Sequence, residues 1–191
     1  MIKSLKQQER IMNVEIDISN VVLKTERLTL RPWTEGDLDD LYEYAGVDGV
    51  GQMAGWLPHK NIEESRDRLH KFIDEKKTFA IDLDGKVIGS LGIERYDEKL
   101  LPEFNEKRGR EIGYVLSKDY WGRGIMPEAV KAVIKYLFEV INLDFLVCGH
   151  FTDNLQSMRV QEKCGFKHYK LKKYTTQYGE VKDSWISLTE R

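Results

Sequence analysis

The feature that most constrains the fold is a glycine-rich turn that leads directly into an amphipathic helix and then into an apolar strand. The turn covers residues 121–127 (WGRGIMP). Apolar side chains then recur at intervals of three and four residues: Val130, Val133, Ile134, Leu137, Phe138 and Ile141. This spacing predicts a helix with one buried face. Residues 143–148 (LDFLVC) are nearly all apolar, which predicts a strand buried on both faces.

The remaining segments predict helices that flank a mixed, mostly antiparallel sheet. The strongest local signal is Asp84-Gly85, which lies between two apolar segments at residues 78–83 and 86–96 and predicts a hairpin. Capping residues, apolar periodicity and glycines define the other elements. The predicted order along the chain is β-α-α-β-β-β-α-β-α-β-β, which is an α/β fold of the α+β type.

The sequence predicts one domain, without repeats or interdomain linkers. Its 191 residues are an ordinary length for a single domain. Apolar residues are too sparse near the N-terminus to anchor a full helix or strand. We therefore predict that residues 1–20 form a peripheral N-terminal extension and that residues 21–191 form the domain.

Composition argues against several classes of protein. The 30 Lys and Arg residues against 32 Asp and Glu lack the basic excess of a nucleic-acid binder. No apolar stretch is long enough to span a bilayer, and no apolar segment completes a secretion signal. Cys148 and Cys164 are too few for a disulfide framework, and the four scattered histidines form no metal motif. We expect a soluble, cytoplasmic protein with no metal, no membrane and no nucleic acid among its partners.

The glycine-rich turn has the properties of an anion site. Gly122 and Gly124 allow a tight backbone turn and leave its N–H groups unshielded by side chains. The following helix points its free N-terminal donors into the same space, and Pro127 suits its first turn. Such a site binds phosphate or pyrophosphate. The alternative is an ordinary turn that binds nothing. The P-loop lysine and the third glycine of dinucleotide folds are both absent.

Four motifs, in this order, resemble the GCN5-related N-acetyltransferase (GNAT) family. The resemblance is greatest to the branch of the ribosomal-protein N-terminal acetyltransferases RimJ and RimL. It begins near Thr25, in residues 25–32 (TERLTLRP), and extends to the end of the chain. The motifs are residues 111–116 (EIGYVL), 120–129 (YWGRGIMPEA), 154–157 (NLQS) and 163–166 (KCGF). Their shared order makes the match far more specific than any one of them.

The resemblance implies an acetyl-CoA site. In this family the loop after the fourth strand holds the CoA pyrophosphate with backbone N–H groups. This implies a role for Gly122, Arg123, Gly124, Ile125 and Met126. The chain departs from the wider family pattern at both ends of the loop, where Trp and Met stand, but backbone donation tolerates both changes.

The resemblance also implies contacts at the reactive end of the cofactor. A backbone N–H of Tyr114, Val115 or Leu116 is the expected partner of the thioester carbonyl. Asn154 is expected to contact the pantetheine arm. Ser157 lies one helical turn later and is expected to face the sulfur.

One departure from the family affects the acid. Many relatives carry a tyrosine at the position of Gln161 that protonates the leaving thiolate, and this chain has none there. Ser157 is the remaining candidate donor. The alternative is that its hydroxyl only makes a local hydrogen bond within the helix.

The base is sought among two carboxylates. Glu111 and Glu94 lie on strands expected to border the substrate cleft, where either could relay a proton through water. Each could equally be an ordinary surface or ion-paired carboxylate. Trp56 precedes the second helix, where relatives line the acceptor pocket, and it could bind the substrate or belong to the core.

These residues predict an acetyl-CoA-dependent N-acetyltransferase that acts by direct attack of a primary amine. The favoured acceptor, by resemblance, is a protein N-terminus such as that of a ribosomal protein. The alternatives are a small amine (a polyamine, amino acid or antibiotic), a non-catalytic acyl-CoA-binding module, and an RNA-binding adaptor supported only by Lys107, Arg108 and Arg110. The oligomeric state stays open, with a homodimer among the options.

Overall fold

The computed structural model describes residues 12–191 and contains one eight-stranded sheet with four helices on its two faces. This architecture confirms the predicted fold class. The strands are β1 (Leu23–Lys24), β2 (Thr29–Arg31), β3 (Thr78–Leu83), β4 (Lys86–Glu94), β5 (Gly109–Leu116), β6 (Phe145–Phe151), β7 (Lys167–Thr175) and β8 (Val181–Glu190). The helices are α1 (Leu38–Ala45), α2 (Ile62–Glu75), α3 (Ile125–Glu139) and α4 (Leu155–Lys163).

The sheet has the strand order β1-β2-β3-β4-β5-β6-β8-β7. All neighbouring strands are antiparallel except β5 and β6. The predicted hairpin joins β3 to β4, and its two central residues, Asp84 and Gly85, both have positive φ angles, of 53° and 86°. That pair of angles is the one an Asp-Gly turn favours.

The helices divide between the two faces of the sheet. Helices α3 and α4 pack on the face that carries Leu91 and Ile112, and together they form the larger apolar core. Helices α1 and α2 pack on the opposite face, against Ala80 and Val87. Because side chains alternate along a strand, neighbouring residues of β4 and β5 contribute to different faces. A site within the sheet therefore has one side that faces α3 and α4 and another that faces α1 and α2.

Apolar residues of the predicted N-terminal extension pack into the core of the domain. Ile16 and Ile18 are only 7% and 1% exposed and belong to the larger core. Asn13 is also buried, and its side chain accepts a hydrogen bond from the backbone N–H of Tyr96. Two isolated apolar residues are a weak sequence signal, but both pack into the larger core. The first part of the predicted extension, residues 1–11, lies outside the described residues.

Two element boundaries also differ from the prediction. Strand β6 begins at Phe145 and ends at Phe151, later than the predicted 143–148. Leu143 instead belongs to the turn after α3, where its N–H donates to the carbonyl of Leu137. Its side chain is fully buried, which explains why this turn residue is apolar and was predicted to belong to the strand. The two-residue strand β1 carried no sequence signal.

No helix within residues 12–191 is long and apolar enough to cross a membrane.

The two parallel strands separate halfway along their length. Strand β5 pairs with β6 only from Gly109 to Ile112, opposite Phe145 to Cys148. The rest of β5 pairs with β4 alone, while the rest of β6 pairs with β8. This separation opens the sheet and leaves one edge of β5 without a partner strand.

Candidate functional site

A cleft of about 730 Å³ lies where β5 and β6 separate. Its walls are the free half of β5, the glycine-rich loop before α3, the C-terminal half of β6 and the start of α4. Lys172 and Tyr174 of β7 complete one side. All the predicted cofactor residues line this cleft except Arg123, whose guanidinium lies over the Tyr120 ring at 5.3 Å.

The free edge of β5 presents two backbone N–H groups to the cleft. The N–H of Ser117 donates to the carbonyl of Ile88 on β4, at 2.8 Å. Backbone groups alternate in direction along a strand, so Val115 also faces β4, whereas Tyr114 and Leu116 face the gap. The Leu116 carbonyl accepts a hydrogen bond from the indole of Trp121 at 2.9 Å. Of the three predicted backbone donors, the geometry therefore supports Tyr114 and Leu116 and assigns the N–H of Val115 to the sheet.

The glycine-rich loop has the geometry of an anion cradle. Gly122 and Gly124 have φ angles of 76° and 75°, a conformation that side chains with a Cβ rarely adopt. A Cβ at Gly122 would meet no atom within 4 Å, so the loop is open at that point. Gly124 is the N-cap of α3, whose first N–H groups have no partner within the helix. The residues present therefore fit the pyrophosphate of CoA.

An ion-paired cluster, which the sequence analysis did not identify, supports this loop. Glu128, in the first turn of α3, accepts hydrogen bonds from the Thr25 hydroxyl at 2.6 Å and from the Arg27 side chain at 2.8 Å. Arg27 also donates to the carbonyl of Arg123, at 3.0 Å. Burial alone would raise the pKa of Glu128, but these hydrogen bonds hold it below the usual range. The only sequence signal was that Thr25 and Arg27 belong to the opening motif.

Asn154 begins α4 and is buried at the edge of the cleft. Its side-chain oxygen accepts a hydrogen bond from the N–H of Ser157 at 3.0 Å, as an N-cap does. Its amide nitrogen donates to the carbonyl of Met53 at 3.3 Å. The predicted cap is therefore present. The predicted contact with pantetheine stays a prediction, since both polar atoms already have protein partners.

Ser157 lies in a hydrogen-bonded cluster that joins α4 to the sheet. Its hydroxyl is 3.0 Å from the Tyr114 hydroxyl and accepts from the Gln161 side-chain nitrogen at 3.3 Å. The same nitrogen donates to the carbonyl of Gly149 at 3.1 Å. The Gln161 oxygen is 2.9 Å from Nδ1 of His150. The Ser157 hydroxyl therefore contacts one residue of its own helix, Gln161, and one residue of the sheet, Tyr114, and its role toward the cofactor sulfur stays a prediction.

Burial sets the protonation of this cluster. It raises the pKa of Tyr114 well above its usual value, so the phenol stays protonated. It lowers the pKa of His150, which is therefore neutral near pH 7, and Nδ1–H of its ring can donate to Gln161. The Tyr114 side chain was missed in the sequence analysis, which assigned only a backbone role to this residue. No spacing rule connects a strand tyrosine to a serine 43 positions later.

The two candidate bases lie on the other face of the sheet. Glu94 and Glu111 are directly opposite each other on β4 and β5, so their side chains share a face. Tyr114 is three residues from Glu111 along β5, so its side chain points to the opposite face of the sheet, toward α3 and α4. The sheet therefore separates the candidate base from the candidate hydrogen-bond donor, and the gap between β5 and β6 joins them.

The two carboxylates have different surroundings. Glu94 is ion-paired with Lys77 at 2.6 Å, as in the alternative that the sequence left open. Glu111 has no hydrogen-bond or ion-pair partner within residues 12–191, and it lines the cleft. Burial raises the pKa of Glu111, with a smaller opposing effect from Lys172. A carboxylate with a raised pKa and an unoccupied side chain is the better candidate base.

A second cavity, of about 200 Å³, adjoins the cleft on the α1–α2 face. Gly92 and Gly113, opposite each other on β4 and β5, form its floor because neither has a side chain to fill it. Trp56 lines one wall, with its ring 5.3 Å from that of His59. Trp56 is half-buried, and its predicted contact with an acceptor stays a prediction. Within residues 12–191, His, Cys, Asp and Glu residues form no cluster suited to a metal ion.

Comparisons with known proteins agree with this geometry. A family model described as an acetyltransferase (GNAT) domain matches residues 27–167. The uncharacterized N-acetyltransferase p20 of Bacillus licheniformis is 29% identical over 178 residues, which cover 88% of this chain and 96% of that protein.

Two further relatives have names that state an acceptor. The "Putative ribosomal N-acetyltransferase YdaF" of Bacillus subtilis is 29% identical and covers 74% of this chain and 78% of its own length. The spermidine N(1)-acetyltransferase of Escherichia coli is 27% identical, and the match covers 72% of this chain and 71% of that protein.

A solved acetyltransferase (GNAT family) from Bacillus anthracis has the same fold, with a TM-score of 0.77. It is 23% identical, and the match covers 89% of this chain and 98% of that chain.

Proposed function

Since the chain belongs to the acetyltransferase (GNAT) family of N-acetyltransferases, we propose that it transfers acetyl from acetyl-CoA to a primary amine by direct attack, with a protein N-terminal amine as the favoured acceptor. One observation carries the proposal. Glu111 on one face of the sheet and the Ser157–Tyr114 pair on the other both reach the gap between β5 and β6. Attack of an amine on a thioester is helped by a base beside the nitrogen and by a hydrogen-bond donor beside the departing sulfur.

Binding of acetyl-CoA needs only backbone groups that are already in place. The loop at Gly122 and Gly124 and the first turn of α3 would hold the pyrophosphate. The cofactor supplies a thioester that is activated toward an amine. The backbone N–H groups of Tyr114 and Leu116 would donate to the thioester oxygen, where negative charge grows in the transition state.

On the acceptor face, Glu111 removes a proton. The nitrogen lone pair of the neutral amine would form a bond to the carbonyl carbon while the second electron pair of the C=O bond moves to oxygen. The carbonyl would then re-form as the carbon–sulfur bond breaks, and the electron pair of that bond would go to sulfur. The nitrogen then loses one proton to the Glu111 carboxylate, directly or through water. A carboxylate with a raised pKa accepts this proton more readily than an ordinary one.

On the cofactor face, Ser157 stabilises the leaving sulfur. The Gln161 side chain donates to the Ser157 hydroxyl oxygen, and the Tyr114 hydroxyl lies 3.0 Å from that oxygen and 3.2 Å from the Ser157 carbonyl. Either hydroxyl can be the donor of the Tyr114–Ser157 pair, and we take Tyr114 as the donor, so that both lone pairs of the Ser157 oxygen are used. The hydroxyl hydrogen of Ser157 is then directed into the cleft, toward the departing sulfur. The sulfur leaves as a thiolate that takes its proton from water. Gln161, which replaces the family tyrosine, thus positions the donor instead of acting as the acid.

We expect Ser157→Ala and Tyr114→Phe each to lower kcat by about 10- to 100-fold while leaving acetyl-CoA affinity nearly unchanged, since the lost hydrogen bond strengthens only in the transition state. The two groups act as one unit, so the double variant should be little slower than either single variant. Steady-state kinetics and direct binding of acetyl-CoA measure both effects. Independent, additive losses would contradict the shared role.

The favoured acceptor is supported by two observations. A cavity of about 200 Å³ holds one or two side chains, as the end of a peptide requires. One relative is also named as a putative ribosomal N-acetyltransferase.

The favoured acceptor is tested by a screen of amines and N-terminal peptides that follows CoA release together with acceptor mass. We expect peptides to be acetylated at the α-amine. Acetylation of spermidine alone would contradict the favoured acceptor, and no acetylation at all would support a non-catalytic module.

A further inference from the structure

The acceptor cavity contains a cation that no protein group neutralises. Arg68 of α2 lines its wall, is half-buried, and has no carboxylate within ion-pair distance among residues 12–191. Its guanidinium lies 6.0 Å from the centre of the Phe72 ring. By contrast, Arg66 on the same helix is ion-paired with Glu63 at 3.1 Å. An uncompensated guanidinium beside aromatic walls favours an anionic ligand.

A buried hydroxyl in the same cavity also lacks a partner. Tyr44 of α1 is 3% exposed, and its hydroxyl makes no hydrogen bond within the described residues. Burial raises the pKa of Tyr44, while the nearby Ser90 hydroxyl and, to a smaller extent, the Arg68 charge oppose the rise. The phenol therefore stays protonated and can donate. The contact with Ser90 does not reach hydrogen-bond geometry. A buried polar group without a partner is destabilising, which indicates that a ligand atom completes its hydrogen bonding.

The other titratable group beside Arg68 does not add to its charge. Burial and the charge of Arg68 lower the pKa of His59, whose Nδ1 is 2.7 Å from the Ser65 hydroxyl. His59 is therefore neutral near pH 7. Arg68 is then the one cation among the residues that line this cavity in the described part of the chain.

The charges of the cavity are separated along the sheet. Ser90, Gly92 and Glu94 share one face of β4, and all three line the cavity. Ser90 and Glu94 are about 13 Å apart along the strand. Tyr44 and Arg68 lie on helices that cover the sheet beyond Gly92, whereas Glu94 and the neighbouring Glu111 lie toward the cleft. The carboxylates therefore lie toward the cleft, with Glu94 paired to Lys77, and the unpaired guanidinium of Arg68 lies on a helix that covers the sheet.

We propose that the acceptor carries a carboxylate in addition to its amine, and that Arg68 and Tyr44 bind this carboxylate while the amine lies toward Glu111. The inference rests on the proposed acetyl transfer and names the class of acceptor for it. The carboxylate belongs either to an acidic side chain near a peptide N-terminus or to a free amino acid. A polyamine lacks this group, and Arg68 repels it.

The test uses acceptor pairs that differ in one carboxylate. The peptide pair has Glu or Gln at the second position, and the small-molecule pair is phenylalanine against its amide. We expect kcat/KM to be about 10- to 100-fold higher for the carboxylate member of at least one pair, as one charge-assisted contact supplies. The preferred pair identifies the source. Spermidine should be a poor acceptor.

Variants assign the preference to these residues. Arg68→Gln should reduce the ratio within the preferred pair to near one, mainly through KM, and Arg68→Lys should restore it in part. Arg66→Gln is the matched control and should leave the ratio unchanged. Tyr44→Phe should lower the ratio without lowering the apo melting temperature, because it removes an unpaired buried hydroxyl.

The possible results distinguish failure of the carboxylate proposal from failure of the proposed acetyl transfer. Equal acetylation of both members of each pair, or a ratio that Arg68→Gln leaves intact, overturns the inference while acetyl transfer stands. Absence of acetylation for every acceptor overturns both.

Discussion

Replacing Glu111 by Gln is expected to lower kcat/KM by about 10²- to 10⁴-fold, the range that general-base catalysis supplies. The amide cannot accept the proton of the attacking amine, although it keeps the shape of the carboxylate. Acetyl-CoA affinity should hardly change, because Glu111 lies on the acceptor face of the sheet. Steady-state kinetics with a confirmed acceptor, together with calorimetric binding of acetyl-CoA, measure the two effects.

Glu94→Gln is the matched control, since Glu94 is opposite Glu111 but ion-paired with Lys77. We expect its kcat/KM to fall by less than about tenfold. If Glu94→Gln caused the large loss and Glu111→Gln the small one, the assignment of the base would be reversed.

The pH dependence provides a further readout of Glu111. Its pKa is raised in the folded protein, so deprotonation is less favourable in the native state than in the unfolded chain. The acid limb of kcat/KM should therefore lie above the ordinary carboxyl value of 4.5 and should be absent from Glu111→Gln. Stability conferred by the protonated form is lost as pH rises through the folded pKa. At neutral pH, Glu111→Gln should therefore melt no lower than the wild type.

Replacing Gly124 by Val is expected to weaken acetyl-CoA binding by at least about 100-fold, because loss of two hydrogen bonds to a charged group has that effect. Gly124 has a φ angle of 75° at the start of α3, which a β-branched residue does not tolerate. The change therefore moves the N–H groups that the pyrophosphate needs.

Gly179→Val separates this effect from general strain. Gly179 has a φ angle of 88°, meets no neighbour within 4 Å of a built Cβ, and lies in the turn between β7 and β8. Both variants should lower the melting temperature of the protein without ligand by similar amounts, but only Gly124→Val should weaken acetyl-CoA binding. Normal affinity in a folded Gly124→Val protein would exclude the loop from the binding site.

Local sequence patterns predicted the elements that carry the cofactor site. The apolar spacing of α3, the Asp-Gly hairpin and the Asn154 cap depend on residues within one turn or one strand pair, so the sequence alone expresses them. Gly122 and Gly124 were predictable for the same reason, since a tight turn before a helix requires their conformation. The packing of Ile18 was not predictable, because a lone apolar residue has no periodicity.

The geometry of the candidate site could be derived only from the three-dimensional structure. Sequence placed Glu94 and Glu111 together as equal candidates, and only the Lys77 ion pair and the burial of Glu111 distinguish them. The Tyr114 side chain meets Ser157 because α4 packs on one face of β5, which is a long-range contact. The unpaired guanidinium of Arg68 is likewise a property of its surroundings, since the sequence shows only another charged residue on an amphipathic helix.

The central claim is direct transfer from acetyl-CoA to an amine held on the other side of the sheet. A rapid chemical quench, with acetyl measured by mass on both the protein and the acceptor, tests it most directly. We expect CoA release to match acetylation of the acceptor amine at every time point, and we expect the protein to carry no acetyl group with or without acceptor. An acetylated form of the protein that appears before the product, and transfers its acetyl to the amine, would contradict direct transfer.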